Sequence, residues 1–210
     1  YYNTEAAEQS RFNPLEARKL LRDAGWVDVD GDGILEKDGK ELSLTITATS
    51  GQINRNRTEL VLREQYKEVG IDLKIRNYNS TVLYGTYEDG GILRRGKFDL
   101  VMYAWLSSPE PATKEALYSY HNIPPKGQNN PRFHNEKISQ LLQQGSNELD
   151  ESQRIKIYHE ISNILVDEAP VIPLFWYTSL NPCTTRLQNF RPNPTQSADT
   201  WNAATWYMLQ

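Results

Sequence analysis

Apolar positions recur along this chain at two spacings, one suited to helices and one to strands. Ala17, Leu20, Leu21 and Ala24 follow at i, i+3, i+4 and i+7, the period of a single helical face. That stretch opens on Asn13-Pro14-Leu15-Glu16. Asn13 can cap, Pro14 fits the first helical position, Glu16 can return a bond to the cap, and Gly25 supplies the stop. Leu42 to Thr49 alternates apolar and small polar residues, which predicts a strand with one apolar face. Leu62, Tyr66 and Val69 mark a helix over residues 54–69 that stops at Gly70, and Ile71 to Ile75 alternates again. Strand, helix and strand with short joints make a βαβ unit, so the two strands should run parallel with a right-handed crossover.

Gly85 to Gly96 is a weakly patterned connection. Phe98-Asp99-Leu100-Val101-Met102-Tyr103-Ala104-Trp105 then reads as a buried third strand, broken abruptly by Leu106-Ser107-Ser108-Pro109-Glu110-Pro111. Helical pattern returns at Ile138, Leu141 and Leu142. Asp150-Glu151-Ser152-Gln153 is a second capping signature, opening a helix with Ile157, Ile161, Ile164 and Leu165 on one stripe, which Pro170 ends. Val171 to Tyr177 reads as a strand, at an edge or bulged because of Pro173. From Asn181 the pattern fades, and residues 181–210 form a tail with too little apolar periodicity for a core of its own. The class is α/β, with a mixed, mostly parallel sheet flanked by helices.

Composition narrows the function classes. The 210 residues suffice for one large domain or two small ones, and a net charge of −4 without any basic block excludes a nucleic-acid partner. No run approaches the ~20 apolar residues needed to span a bilayer. Cys183 stands alone, so there is neither an internal disulfide nor a cysteine zinc site. The opening Tyr1-Tyr2-Asn3-Thr4, without Met or signal sequence, reads as the start of a fragment. Five Trp, twelve Tyr and five Phe give enough aromatic area either to fill cores or to line a cleft.

Three places carry candidate chemistry. Asp28, Asp30 and Asp32 with Gly33 imitate the start of a calcium loop, with Glu36 as a further oxygen donor. Gly39 stands where the bidentate Glu should be and a strand follows instead of a helix, so a tight acidic turn leading into a hairpin is the competing reading. A hydrolase would need a convergent Ser and His. His121, His134 and His159 lie in a loop, its far flank and a helix, and no nucleophile elbow, H-E-x-x-H or Walker loop accompanies them. The third place is the loop after the third strand. Strand ends leave N–H and C=O groups for an extended ligand, Trp105 can cover an apolar part, and Ser107 and Ser108 can donate or accept. Trp105 as a core residue at a sheet corner is the alternative.

Several separated segments resemble one known family. Phe12-Asn13-Pro14-Leu15-Glu16-Ala17-Arg18-Lys19-Leu20-Leu21-Arg22-Asp23-Ala24-Gly25-Trp26 is similar to a D-P-x-K-A-x-x-L-L-x-x-A-G-W helix. Asp30 to Lys40, Val69-Gly70-Ile71-Asp72-Leu73, Phe98 to Trp105, Asp150 to Arg154 and Asp167 to Leu174 follow in the same order. Together they resemble the C-terminal part of the family-5 extracellular solute-binding proteins, the ligand-capturing components of ABC importers. The resemblance implies a type II periplasmic-binding-protein lobe: residues 1–180 as the second lobe and 181–210 as a tail returning toward a first lobe. It further implies no catalysis, no cofactor, a peptide or similar solute as ligand, the importer's membrane subunits as partners, and a place in the periplasm or on the outer face of the cytoplasmic membrane. The implied ligand residues are Tyr103, Ala104, Trp105, Leu106, Ser107, Ser108 and Glu110. Members that bind free peptide N-termini typically carry Asp three residues after the strand Trp, where Ser108 stands here. A hydroxyl cannot replace that charge. Either Glu110 substitutes for it, or the ligand lacks a free α-amino group or is no peptide.

Overall fold

Residues 1–106, 108–178, 180–193, 195 and 198–209 are described by a computed structural model. The elements run α1 (Thr4–Gln9), α2 (Pro14–Asp23), β1 (Glu36–Lys37), β2 (Lys40–Glu41), β3 (Ser43–Thr47), α3 (Ile53–Glu68), β4 (Asp72–Ile75), α4 (Ser80–Tyr84), α5 (Ile92–Arg95), β5 (Leu100–Val101), α6 (Glu115–Tyr118), α7 (Glu136–Asn147), α8 (Glu151–Glu168), β6 (Leu187–Gln188) and β7 (Tyr207–Met208).

The expected βαβ unit is the centre of the molecule. β3 and β4 pair in parallel, with Leu44 opposite Leu73 and Ile46 opposite Ile75. β5 joins the other edge of β3, also parallel, giving the order β4-β3-β5. Ile46, Ala48 and Leu73 are buried there. At the start of the unit, Asn13 caps α2 by accepting the Glu16 N–H at 3.1 Å, and Gly25 takes φ +87°. The Glu16 carboxylate turns to Lys19 at 3.2 Å instead of returning to the cap. No residue of α2 is buried, and Leu15 and Leu20 lie exposed on it.

Two predicted strands come out differently. The third is short, Leu100–Val101, with one further bond from Met102 N–H to the Thr47 carbonyl at 2.8 Å. At its start the Asp99 carboxylate takes the Thr45 N–H at 2.8 Å, where a main-chain bond to β3 would otherwise form. On the opposite edge of β3, facing β4, Asn77 Oδ1 takes the Ala48 N–H at 2.8 Å. Val171 to Tyr177 forms no strand. Its apolar residues fall on both sides, so a ladder would need cover on each face, and among the described residues no strand lies beside it. Ile172, Leu174, Phe175, Trp176 and Tyr177 are exposed.

A second core sits between α7 and α8, both capped as expected: Asp150 accepts the Gln153 N–H at 2.8 Å and Asn135 the Ile138 N–H at 2.9 Å. Phe133, Ile138, Leu141, Leu142, Ile157, Tyr158 and Ile161 form it. The helices approach closely at Gly145, where a Cβ would meet the Tyr158 ring at 2.9 Å. α8 ends as Ala169 turns left-handed at φ 45° before Pro170. Asn3 anchors α1 by donating to the His159 carbonyl at 2.9 Å and to Asn163 Oδ1 at 2.6 Å. In the tail, β6 and β7 pair antiparallel and the Phe190 and Trp206 rings meet edge to face, 5.4 Å apart.

One buried charge-bearing group joins α3 to the sheet. Glu59 is fully buried and its Oε2 accepts from Asn77 Nδ2 at 2.7 Å, while Asn77 holds Ala48. Burial pushes the Glu59 carboxyl above its usual range, against the opposing pull of Asn77 and Arg55. A raised acid favours the fold below its unfolded pKa, and that contribution is lost as pH rises through the folded value. Glu59→Gln should therefore gain in melting temperature relative to the parent as pH rises from about 4 to about 8. Melting curves whose difference stays constant with pH would contradict this account.

Candidate ligand site

Because the three strands are parallel, the segments that follow them gather at one end of the sheet, where open α/β sheets bind ligands. After β5 the chain runs through half-buried Tyr103 to exposed Ala104, Trp105 and Leu106. Trp105 keeps 44% of its surface exposed, which removes it from the core. The ladder stops at Met102, the last residue with a main-chain bond to β3. Ser107 lies outside the described residues. Ser108 Oγ accepts the Glu110 N–H at 3.1 Å, closing a turn around Pro109.

Glu110 is already committed. Its Oε1 accepts the Ala112 N–H at 2.9 Å, capping the short 3-10 turn Pro111–Lys114, and the same carboxylate forms an ion pair with Arg154. The Arg154 guanidinium beside it, then the Ala112 N–H, hold the Glu110 carboxyl below its usual range. In this arrangement the Glu110 charge is paired with Arg154.

Residues from the other two strand ends reach the same region, and the sequence reading overlooked them. Arg55, near the start of α3, donates from Nη1 to Thr49 Oγ1 at 2.7 Å and to the Tyr84 hydroxyl at 3.3 Å. Thr49 follows β3, and Tyr84 ends α4 beyond β4. Burial pushes the Tyr103 phenol up, and neighbouring Tyr84 adds to the shift. Burial does the same to Tyr118, with Tyr103 beside it. Among the described residues no carboxylate lies within 4.0 Å of the Arg55 nitrogens. The strand-end rule would have found Thr49 and Arg55 had it been applied to all three strands.

The acidic loop sits at the opposite end of the sheet. Leu35 donates to the Gly70 carbonyl at 2.9 Å, just before β4, and Leu42 N–H returns to Leu35 at 2.7 Å. Oxygens of Asp28, Asp30, Asp32 and Glu36 lie within 4.8 Å of one another. Each also accepts a backbone N–H of the loop: Asp28 from Gly31 and Gly33, Asp30 from Asp32, Asp32 from Ile34, and Glu36 from Val29, at 2.7–3.1 Å. Those bonds account for the gathering as an acidic turn leading into the β1–β2 hairpin. The histidines are spread out. His121 and His134 both pack on the Tyr120 ring, at 3.9 and 4.7 Å, and His159 lies within α8. The nearby hydroxyls of Ser119 and Ser139 accept the His121 and Tyr120 N–H groups.

The parallel sheet flanked by helices has the fold of the type II periplasmic-binding-protein class. The match to known proteins agrees. Residues 1–124 match bacterial extracellular solute-binding proteins, family 5 Middle, and the chain belongs to that family. It is 26% identical over 199 residues to the oligopeptide-binding protein AppA of Bacillus subtilis, covering 95% of this chain and 35% of AppA. AppA solved with a nonapeptide superposes with a TM-score of 0.72 at 24% identity, covering 95% of this chain and 38% of that one. An oligopeptide-binding protein of Thermus thermophilus, solved with a pentapeptide, gives 0.66 at 27% identity over 78% of this chain and 29% of that one. The nickel-binding periplasmic protein of Escherichia coli is 21% identical over 187 residues, 85% of this chain and 33% of its own. The chain thus spans about a third of the length of the curated relatives it matches. Among the described residues no helix is long and apolar enough to cross a membrane.

Exposure of Trp105 yields a stability test. Trp105→Ala should cost under ~1 kcal/mol, whereas truncating a buried aromatic costs ~3–5 kcal/mol. A denaturant titration of the variant beside the parent measures the difference directly.

Proposed function

We propose that this chain is the second lobe of an extracytoplasmic solute-binding protein that captures a peptide or similar solute for an ABC importer. Residues 1–180 form the lobe and 181–210 return toward the first. The observation that carries the reading is Trp105, exposed at the carboxyl end of the parallel sheet on a turn closed by Ser108. The bound peptides in the Bacillus and Thermus relatives support it. The protein works in the periplasm or on the outer face of the cytoplasmic membrane, delivers its ligand to the importer's membrane subunits, and performs no chemistry on it.

The charges favour one kind of ligand end. Ser108 is neutral, Glu110 is tied to Arg154, and Arg55, whose charge acts on the buried Glu59 carboxyl, forms no ion pair within 4.0 Å among the described residues. The site therefore attracts a carboxylate more readily than an ammonium group. Two lobes must also close to bury a ligand fully, so this lobe alone captures it poorly.

Full-length protein, purified natively and analysed by mass spectrometry, should carry a small solute that this chain alone does not retain. Trp105→Ala in the full-length protein should lose it. Equal retention by the chain and the full-length protein would overturn the two-lobe reading. Hydrolysis of generic ester or peptide substrates, abolished by one Ser or His substitution, would replace binding with catalysis.

Charge preference is tested on the same preparation. Arg55→Gln should reduce retention of carboxylate-bearing solutes, and Ser108→Asp should enrich solutes with a free amine. An unchanged profile in both variants would remove the loop and Arg55 from ligand recognition.

A further inference from the structure

Arg154 is joined to three segments far apart in sequence. Its Nε donates to the Gly145 carbonyl of α7 at 2.8 Å, its Nη1 donates to the Tyr1 hydroxyl at 3.1 Å, and its Nη2 pairs with the Glu110 carboxylate. Its guanidinium lies 5.6 Å from the centres of both the Tyr1 and Tyr158 rings, which themselves meet edge to face at 5.4 Å. The arginine side chain is only 18% exposed, against 49% for Glu110. Its stem and fork are thus fixed by the helix pair and two rings, while the carboxylate it holds belongs to a surface loop. An arginine fork placed in this way sets direction as well as distance, because the donors are coplanar and pre-aligned.

We infer that Arg154 is a positioning residue for the ligand loop, fastening Glu110 to the α7–α8 pair so that the Ser108–Glu110 turn holds one geometry before a ligand arrives. The loop's part in ligand capture rests on the function proposed above; the fastening itself does not. The loop needs such a tether because its ladder ends at Met102 and Trp105 finds no place in the core. Two anchors then bracket it: the sheet at Met102 and Arg154 at Glu110. Between them lie the Tyr103 hydrogen bond to Asn130 and the Ser108 turn. Order fixed before binding does not have to be imposed during it, so a tethered loop binds more tightly than a loose one with the same contacts.

Amide hydrogen exchange on ligand-free full-length protein tests the inference without needing a ligand. The variants are Arg154→Met, which keeps the apolar stem and removes the fork, Arg154→Lys, Glu110→Gln, and the double Arg154→Met/Glu110→Gln. Exchange over residues 102–112 should rise on the order of tenfold in Arg154→Met, while α7 and α8 stay protected as in the parent. Arg154→Lys should fall between, since an ammonium restores the charge and not the fork. The double variant should exchange no faster than either single one, because the pair acts as one unit. Unchanged exchange over 102–112 overturns the inference. So does acceleration that spreads equally through α7 and α8, which would make Arg154 a core residue alone, and so do additive effects in the double variant. Failure of the ligand reading shows elsewhere, as unchanged solute retention in Trp105→Ala.

Discussion

Parallel pairing of β4, β3 and β5 is the constraint from which the arrangement of this lobe follows. When neighbouring strands run the same way, each must be reached by a crossover, and α3 supplies the first of these. The crossover carries the chain back, so everything that leaves a strand leaves at the same end. Thr49 after β3, Asn77 after β4 and Tyr103 after β5 are brought together by that rule although 54 positions separate the first from the last. The same rule sends the acidic turn, which precedes β3 and packs beside Gly70, to the far end. Of the segments the sequence marks for chemistry, the acidic turn and the loop after β5 therefore lie at opposite ends of the sheet, and only the latter lies where strand-end loops converge.

Side chains finish what the backbone starts. Asn77 bonds Ala48 and Glu59 at once, so it interrupts the β3–β4 ladder, which resumes as Tyr78 donates to the Ala48 carbonyl, and ties α3 to the sheet in one stroke. Asp99 does a similar thing at the start of β5. Asp99 explains why the third strand begins later than its apolar run. Hydrophobic periodicity reports which residues favour a sheet, and it is silent about competition for the partner strand's N–H groups.

The parts of the fold legible in the sequence are those governed by local chemistry. Asn13 and Asp150 have the residue type and spacing of caps, and both accept the N–H three residues on. The βαβ unit and the stripe of Ile157 and Ile161 follow from spacing. Val171 to Tyr177 has the composition of a strand and forms none, because a run apolar on both faces becomes a strand only beside a neighbour, and neighbours are not encoded locally. The loop after β5 is legible from its abrupt break, yet the fate of Glu110 is not, since Arg154 lies 44 positions away. Arg55 escapes notice for the same reason: its meaning comes from Thr49 and Tyr84, which no short motif links to it.

The Ser108 turn has a consequence for how such a protein can change over generations. Its hydroxyl accepts the Glu110 N–H across Pro109. Aspartate closes the same kind of turn with a carboxylate oxygen. Position 108 can therefore exchange a neutral group for a charged one while the loop keeps its path, because the anchoring charge resides two residues on, at Glu110. The loop's path and the charge at position 108 are set by different side chains, so selection can alter one without first having to rescue the other.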